Sequence, residues 1–419
     1  MSSSVSIKNG ILLSPGHPLN GSLVSLRFSN GVIEEIGKEV APADQIIDAQ
    51  GGFISSGWCD VYSVLPDPGA EWKEGIETFA HAASLAGFTQ SAVFAGTDPL
   101  PVKASSIISL KQRAQGLEVE LLPLGAASES REGKEMAEVN DMFQAGTIGH
   151  TDGIVPHGTD SLRSKVLEYC HSLNIPYFSH PYNPKWVAGG QINEGYMSVN
   201  LGLKGIPNAA ETTALLADIE IAKWLGVPLR VLGISTKDSL DIIRNARSQG
   251  VDISVAVPFM NLCYTESDID NFDERFKVMP PLRTEEDKQA LRSAVLSGEI
   301  DAIFSNHTPE DVENKKLEFD YTAFGAATYA GFIPQMLAEF SDEELPKIIQ
   351  VLTDGNRKFL GLVSSEINIG SPVNITVMSR NVADKGIAKG SIAYNKLPFD
   401  ANAGGLVCTA RGLQLNTNS

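Results

Sequence analysis

The chain has 419 residues, with 51 acidic against 33 basic side chains and a formal net charge of −18. This length is enough for one large α/β domain and a smaller one, whose cores need no disulfide bonds. The negative charge repels nucleic-acid phosphates and anionic membrane surfaces, so we expect neither as a partner.

The four cysteines lie far apart in the sequence and form no CxxC pair: Cys59, Cys170, Cys263 and Cys408. We interpret three of them as small core residues, which fits a reducing compartment. The segment "MSSSVSIKNGILLS" lacks the features of a secretory signal. No apolar run approaches the ~20 residues of a membrane-spanning helix. These features predict a cytoplasmic protein.

The two ends of the chain are predicted to be rich in β-structure. In residues 1–54, Asn-Gly pairs separate alternating runs, as they do in β-hairpins. Residues 366–419 contain further runs such as "VNITVMSR". Because each flank is too short for a core of its own, we predict that 1–54 and 366–419 together form one small β-sandwich-like domain.

Between the flanks, residues 55–365 alternate short apolar runs with segments of helical period, a pattern typical of βα units around a parallel sheet. Predicted helices with one apolar face are 76–86, 161–173, 209–225, 237–248 and 285–296. The predicted strands are 53–61, 89–95, 118–125, 146–150, 175–180, 228–235, 252–257 and 300–306. Eight such units predict an α/β fold of the (β/α)8 TIM-type barrel class.

In such a barrel the functional side chains follow the carboxyl ends of the strands. These positions hold Asp60, Tyr62, Val64, Gly96, Thr151, Asp152, His180, Gly233, Asn306 and His307. This set is poor in metal ligands, because each zinc ion takes about four donors at ~2.0–2.2 Å.

Three segments resemble those of a known family: "INEGYMSVNLGLKGIPNAAE" (192–211), the segment 275–311 that ends in "FSNHTPED", and "LEFDYTAFGA" (317–326). With "GWCDVYSVLPDPG" (57–69), they make the chain similar to dihydroorotases of the amidohydrolase superfamily over nearly its whole length. The resemblance implies a barrel with a small β domain, and a metal-dependent hydrolase of cyclic amides in pyrimidine biosynthesis.

The family's pattern after the first strand resembles D-x-H-x-H-x-R-x-P-G, whose histidines hold a metal and whose arginine holds the substrate carboxylate. Here Asp60 remains, but Tyr62, Val64 and Pro66 stand at the other three positions. At the asparagine of the family's P-N-T motif, this chain has Gly96.

The later motifs are also altered. The family's D-D-G falls on Thr151-Asp152-Gly153, and its fifth-strand histidine falls on His180. The histidine expected after the sixth strand is Gly233. Asp152 and His180 are therefore the two weak candidates left for a metal.

The last strand departs furthest from the family pattern D-x-A-P-H, whose aspartate is both metal ligand and general base. Asn306 replaces this aspartate, Glu310 replaces the substrate-contacting histidine, and His307 occupies an unassigned position. A side-chain amide accepts no proton near neutral pH. The charge of Glu310 would repel an anionic substrate. We therefore predict no catalytic residue and no cofactor.

Several of these residues have a structural interpretation. We expect His180 to be a buried histidine and Asp60 to accept hydrogen bonds from the backbone or from Tyr62. We expect His150 and His157 to be solvated, and Arg283 to be a structural ion-pair partner.

Three functional hypotheses follow. The first is an inactive dihydroorotase-like protein, a homo-oligomer such as a dimer, with a structural or regulatory role. The resemblance implies aspartate carbamoyltransferase as its partner. The second is an active, zinc-dependent cyclic amidohydrolase of dihydroorotase, hydantoinase or allantoinase type, built on Asp152 and His180. The third is a binding module for a small neutral ligand, with Tyr62 and Tyr182 as aromatic walls.

Overall fold

The structure is a computed structural model that describes residues 4–129, 131, 133–153, 160–380, 406–411 and 414–417. The strands are β1 (Ser4–Leu13), β2 (Leu23–Ser29), β3 (Val32–Gly37), β4 (Gln45–Asp48), β5 (Phe53–Ser56), β6 (Trp58–Leu65), β7 (Phe88–Ala95), β8 (Glu120–Gly125), β9 (Gly149–His150), β10 (Phe178–Ser179), β11 (Ile192–Asn193), β12 (Gly205–Ile206), β13 (Leu229–Leu232), β14 (Ile253–Pro258), β15 (Ala302–Phe304), β16 (Asn374–Ser379), β17 (Leu406–Arg411) and β18 (Gln414–Thr417).

The α-helices are α1 (Ile76–Leu85), α2 (Ala104–Arg113), α3 (Val139–Ala145), α4 (Asp160–Ser172), α5 (Pro184–Val187), α6 (Tyr196–Leu201), α7 (Ala209–Leu225), α8 (Lys237–Ser248), α9 (Phe259–Cys263), α10 (Glu285–Ser297), α11 (Val312–Lys315), α12 (Phe332–Glu339), α13 (Leu345–Gln350) and α14 (Asn356–Leu360). Short 3-10 segments cover Glu266–Phe272, Glu274–Phe276, Phe319–Tyr321 and Thr328–Gly331, and a π-helical turn covers Val351–Gly355.

Two four-stranded parallel sheets, β6-β7-β8-β9 and β10-β13-β14-β15, form the barrel. Single parallel bridges between His150 and Tyr177 and between Ser63 and His307 join the sheets at both seams. The predicted (β/α)8 barrel is confirmed, and each predicted strand region overlaps one of these eight strands. β6 and β14 are buried along almost their whole length, as expected of parallel strands covered on both faces.

Helices follow the strands at the predicted places, with α7 and α8 at the predicted bounds. Local chemistry explains where they begin and end. Thr236 caps α8 by accepting from the backbone N–H of Ser239, and Thr284 and Asp287 form a capping box on α10. α7 ends at Gly226, whose φ of 67° places it in the left-handed region.

A second sheet combines strands from both ends of the chain in the order β18-β17-β16-β5-β1-β2-β3, with β4 paired to β1. β16 pairs antiparallel with β5, so the C-terminal strands extend the N-terminal ones. Its core includes Ile7, Leu26, Ile54 and Ile375, all fully buried. The division of the chain at 54 and 366 stays a prediction.

Gly57 joins the two sheets. The predicted strand 53–61 is two strands, because β5 belongs to the second sheet and β6 to the barrel. A side chain at Gly57 would collide with the Thr89 hydroxyl and the Asn374 amide. Arg357 Nη2 donates to the Gly57 carbonyl at 2.7 Å. The close approach of the two sheets therefore requires glycine at this position.

Cys59, Cys170 and Cys263 are buried and not in disulfides, as predicted for small core residues. The side chain of Cys408 lies outside the described part of the chain. No helix in the described ranges combines the length and apolar composition that crossing a membrane requires.

Candidate functional site

A cavity of about 240 Å³ opens at the carboxyl ends of the barrel strands. We call it the mouth cavity. Six of the predicted positions line it together: Tyr62, Val64, Pro66, Gly96, Asn306 and Glu310. The other predicted positions do not line it: Asp60, Asp152, His180, Gly233 and His307.

Asp60 is fully buried on β6. Its carboxylate accepts from the Ser305 backbone N–H at 2.9 Å and from the Tyr329 hydroxyl at 2.8 Å, and also from the Ser305 hydroxyl. The Tyr62 N–H lies 3.4 Å away, so the predicted backbone contact is present. Burial raises the pKa of Asp60 to about 6, although the hydrogen bonds oppose the rise. Asp60 thus fastens β6 to the end of β15.

Asp152 follows β9, and both of its carboxylate oxygens accept hydrogen bonds from the loop that follows β8. Oδ1 accepts from the backbone N–H groups of Ala127 at 2.9 Å and Ser128 at 2.8 Å, and Oδ2 accepts from the Ser128 hydroxyl at 2.8 Å. A metal ion at Asp152 would have to compete with three hydrogen bonds. The residue holds two barrel loops together in their present positions.

His180 is fully buried, and its Nδ1–H donates to the carbonyl of Leu232. Its ring stacks on Tyr182, with centroids 5.8 Å apart. Gly233 follows Leu232 and has a φ of +95°. A β-carbon at Gly233 would lie 2.9 Å from His180 Cε1 and 3.2 Å from Phe304 Cζ. His180 therefore occupies the space that a side chain at position 233 would need.

Asn306 follows β15 in a left-handed conformation, with a φ of 55°. Its Nδ2 donates to the Met279 carbonyl at 3.0 Å. The Oδ1 atom is buried and has no hydrogen-bond partner in the described ranges. Asn306 is therefore a fixed amide whose acceptor is unsatisfied.

The predicted repulsion of anions by Glu310 is wrong. Lys73 Nζ lies 2.8 Å from each carboxylate oxygen of Glu310. Asn314 Nδ2 also donates to Glu310 at 3.3 Å. The ion pair neutralises the charge of Glu310, and its two members are 237 residues apart in sequence.

His307 and His150 are both fully buried. His307 Nε2 lies 2.7 Å from Glu74 Oε2, and its Nδ1 accepts from the Tyr329 backbone N–H at 3.3 Å. His150 donates from Nδ1 to the Ala126 carbonyl, and burial lowers its pKa to about 4. The prediction that His150 is solvated is therefore wrong, and His157 lies outside the described residues.

Arg131 lines the mouth cavity, although it was absent from the predicted positions. Its guanidinium carbon lies 4.9 Å from the centroid of the Phe94 ring, and its Nε donates to the Asp152 carbonyl at 3.0 Å. The irregular loop that carries Arg131 has no periodic pattern from which the orientation of this side chain could be predicted.

Tyr182 does not line the cavity and is only 3% exposed, so the predicted second aromatic wall is wrong.

Arg283 is 2% exposed and has structural partners, in agreement with its predicted role. Its Nη1 donates to Asn193 Oδ1 at 2.7 Å and to the Ile206 carbonyl at 2.8 Å, and its Nη2 lies 3.9 Å from Glu211. It connects β11, β12 and α7.

The residues at the mouth do not fit a zinc centre. Val64 and Gly233 have no side-chain donor atom, and an amide such as that of Asn306 is a weak zinc ligand. Within the described ranges, no group of three or more His, Cys, Asp or Glu side chains could hold a metal ion.

A family model described as "Dihydro-orotase-like" matches residues 51–239. The chain is similar to a curated protein named dihydroorotase from Syntrophotalea carbinolica, with 31% identity over 380 residues, which cover 90% of this chain and 89% of that protein. It is 32% identical over 378 residues to a dihydroorotase from Geobacter metallireducens, with 89% of each chain covered.

Among solved structures, an L-hydantoinase (dihydropyrimidinase) from Arthrobacter aurescens superposes with a TM-score of 0.76 at 21% identity. The match covers 92% of this chain and 88% of the hydantoinase. At this identity the likeness shows a shared fold.

Proposed function

We propose that this member of the dihydroorotase family lacks metal-dependent hydrolysis of cyclic amides. Its similarity to curated dihydroorotases over 90% of its length shows that it belongs to the family. Its proposed role is that of a structural or regulatory partner of another protein. No metal cofactor is part of this proposal.

Gly233 gives the strongest support. The family pattern places a metal-binding histidine at this position, but here the backbone has a φ of +95°. A β-carbon would lie 2.9 Å from His180 Cε1. Both the backbone conformation and the neighbouring ring disfavour a side chain at position 233, which supports the proposed loss.

The chemistry of the remaining groups supports the same proposal. A bound zinc ion would supply a hydroxide by lowering the pKa of water from 15.7 to ~7. Asn306 has no proton-accepting state near neutral pH. The carboxylates of Asp60 and Asp152 are held by protein hydrogen bonds. In the described part of the mouth, these groups offer neither a base for a water molecule nor a set of ligands for a metal.

The proposed setting is cytoplasmic pyrimidine biosynthesis, with the chain as a homodimer. Aspartate carbamoyltransferase is the proposed partner, which the family resemblance implies. Co-purification from the source cells and transferase assays with and without the chain test this part. Recovery of the homo-oligomer alone, with unchanged transferase activity, would contradict it.

Metal content and turnover test the loss of hydrolysis. Protein purified without chelator is expected to contain well under one zinc per chain and to leave dihydroorotate, hydantoin and allantoin unchanged, even with added zinc. The Geobacter metallireducens dihydroorotase, assayed in parallel, is the control for the conditions.

The similarity to proteins named dihydroorotase favours one alternative, an active cyclic amidohydrolase with altered zinc ligands. Stoichiometric zinc together with turnover of any of the three substrates would establish this alternative and overturn the proposal.

A further inference from the structure

We propose that an apolar strip beside the mouth cavity is a docking surface for a partner protein whose own surface is basic and carries apolar side chains. The strip is defined by five exposed residues: Trp72, Phe272, Val312, Leu317 and Tyr321. None of the five is among the described lining residues of the mouth cavity, so the strip is a separate feature. Docking there would exercise the proposed structural or regulatory role, and the inference rests on that proposed function.

The strip is continuous along the segment that follows β15. Trp72 Nε1 donates to Asp311 Oδ2 at 2.9 Å, which places the indole next to the start of α11. At the other end, the Phe272 ring lies 6.1 Å from the ring of Phe319, two residues before Tyr321. Exposed apolar side chains are normally scattered singly, so a group of them in neighbouring loops indicates an interaction surface.

Two buried lysines hold the base of the strip in place. Lys277 Nζ donates to the Phe319 carbonyl at 2.6 Å. Lys315 Nζ donates to the carbonyls of Ala323 at 2.9 Å and Gly325 at 3.1 Å. These bonds order a segment that contains no strand in this part of the chain. A surface that is already ordered loses less conformational entropy when a partner binds.

Trp72 and Tyr321 are the side chains best suited to anchor a partner. They are 66% and 73% exposed. Tryptophan and tyrosine bury a large apolar area when they enter a pocket, and they are enriched among the few residues that dominate binding energy in protein interfaces. We therefore expect the partner to supply apolar side chains or pockets opposite these two rings.

The charges around the strip select the kind of partner. The exposed charged side chains of α11 and the turn that follows it are Glu313, Lys316, Glu318 and Asp320. Asp270 adds another exposed carboxylate close to Phe272 in sequence. This excess of negative charge repels nucleic acid and anionic lipid, and it would bring like charges together if a second copy of the chain docked here. A basic protein surface has the complementary charge.

Titration with two defined peptides tests the chemistry. The first repeats lysine, leucine and glycine three times, and the second has glutamate in place of each lysine. We expect the full chain to bind the lysine peptide at least tenfold more tightly than the glutamate peptide, with an affinity that falls as salt is added. Equal affinities, or no binding of the lysine peptide, would overturn the proposal.

Matched variants locate the binding, with the folding of each checked by circular dichroism. Trp72→Ser and Tyr321→Ser are each expected to weaken the lysine peptide at least fivefold. Trp224→Ser removes an indole of α7 that is 76% exposed, and it should have no effect. Glu318→Gln should weaken binding, whereas Glu168→Gln, on the exposed face of α4, should not. Unchanged affinity in both strip variants with serine would overturn the proposal.

The same variants separate this inference from the proposed function. If aspartate carbamoyltransferase binds the unchanged chain, Tyr321→Ser should weaken that complex and Trp224→Ser should not. The opposite result would overturn the strip and leave the partnership intact. If the transferase does not bind, the proposed partnership fails, and the peptide titrations still decide whether the strip binds a basic, apolar surface.

Discussion

Single residues at the mouth have structural partners where the family pattern places catalytic groups. Asp152 binds two backbone N–H groups and the Ser128 hydroxyl, and His180 binds a backbone carbonyl. Hydrogen bonds to charged groups contribute about 1.5–3 kcal/mol each when buried. The mouth is therefore a well-bonded part of the fold, and changes there should affect stability in a measurable way.

His150 should make stability depend on pH. Burial lowers its pKa from 6.5 to about 4, so the unfolded chain binds the proton more readily between these values. The contribution is fully present above pH 6.5 and is lost as pH falls to 4, by about 3 kcal/mol. Urea unfolding of His150→Gln should show a shallower loss between pH 7 and 4 than the unchanged chain.

The pH profile of the unchanged chain alone cannot isolate His150, because the Asp60 contribution to stability changes with pH in the opposite direction. The profiles of variants must therefore be compared. Its raised pKa of about 6 gives a contribution that is present below pH 3.8 and is lost as pH rises through 6. Exposed His171 provides the control, and His171→Gln should leave the pH profile unchanged. Identical profiles for His150→Gln and the unchanged chain would contradict the assignment.

Gly233→Ala is expected to destabilise the fold by about 1–3 kcal/mol, since a left-handed backbone disfavours a β-carbon and His180 occupies its place. Gly226→Ala is the matched control, because its φ is +67° but no atom lies within 4 Å of the built β-carbon. Thermal and urea unfolding should show the larger loss at Gly233. Equal losses would mean that His180 does not restrict the position.

At the level of elements, the seam between β6 and β15 depends on side chains more than on strand pairing. One bridge, Ser63 to His307, joins these strands, and Asp60 binds Ser305 beside it. Glu74, which precedes α1, reaches the seam through His307. A barrel closed in this way should be sensitive to the loss of one buried polar group.

Glu74→Ala should lower the free energy of unfolding by about 1–3 kcal/mol, because it leaves the buried Nε2 of His307 without its hydrogen-bond partner. Both side chains are fully buried and 2.7 Å apart. Glu168→Ala, on the exposed face of α4, should change stability by less than about 0.5 kcal/mol. A small effect at Glu74 would show that the seam does not rely on this contact.

The strands and helices could be predicted because the periodic spacing of apolar residues that specifies each element lies within that element's own sequence. β5 and β6 were predicted as one strand, since nothing local to Gly57 reports that Thr89 and Asn374 approach it. The site was predictable as a set of strand ends, which explains why six predicted positions share the mouth cavity. The Lys73–Glu310 ion pair and the orientation of the Arg131 side chain depend on contacts between segments that are distant in sequence. A local sequence pattern does not report such contacts.

For the whole molecule, the net charge of −18 opposes binding to other polyanions. We expect no shift of a DNA or RNA duplex at micromolar protein in 0.15 M salt. Salt should also stabilise the fold by screening the repulsion of like charges. The midpoint of urea unfolding should therefore rise between 0.05 and 0.5 M sodium chloride, and a fall would show that attractive ion pairs dominate.

The packing of His180 against Gly233 also has an evolutionary consequence. A codon change that introduced histidine at position 233 would place its side chain where the His180 ring already lies, on a backbone that disfavours it. Reversion would require the peptide and the neighbouring ring to move at the same time as ligands returned at positions 62, 64 and 306. Under the proposed loss of hydrolysis, no single substitution would regain a metal site, so selection would act instead on the structural role proposed for the barrel.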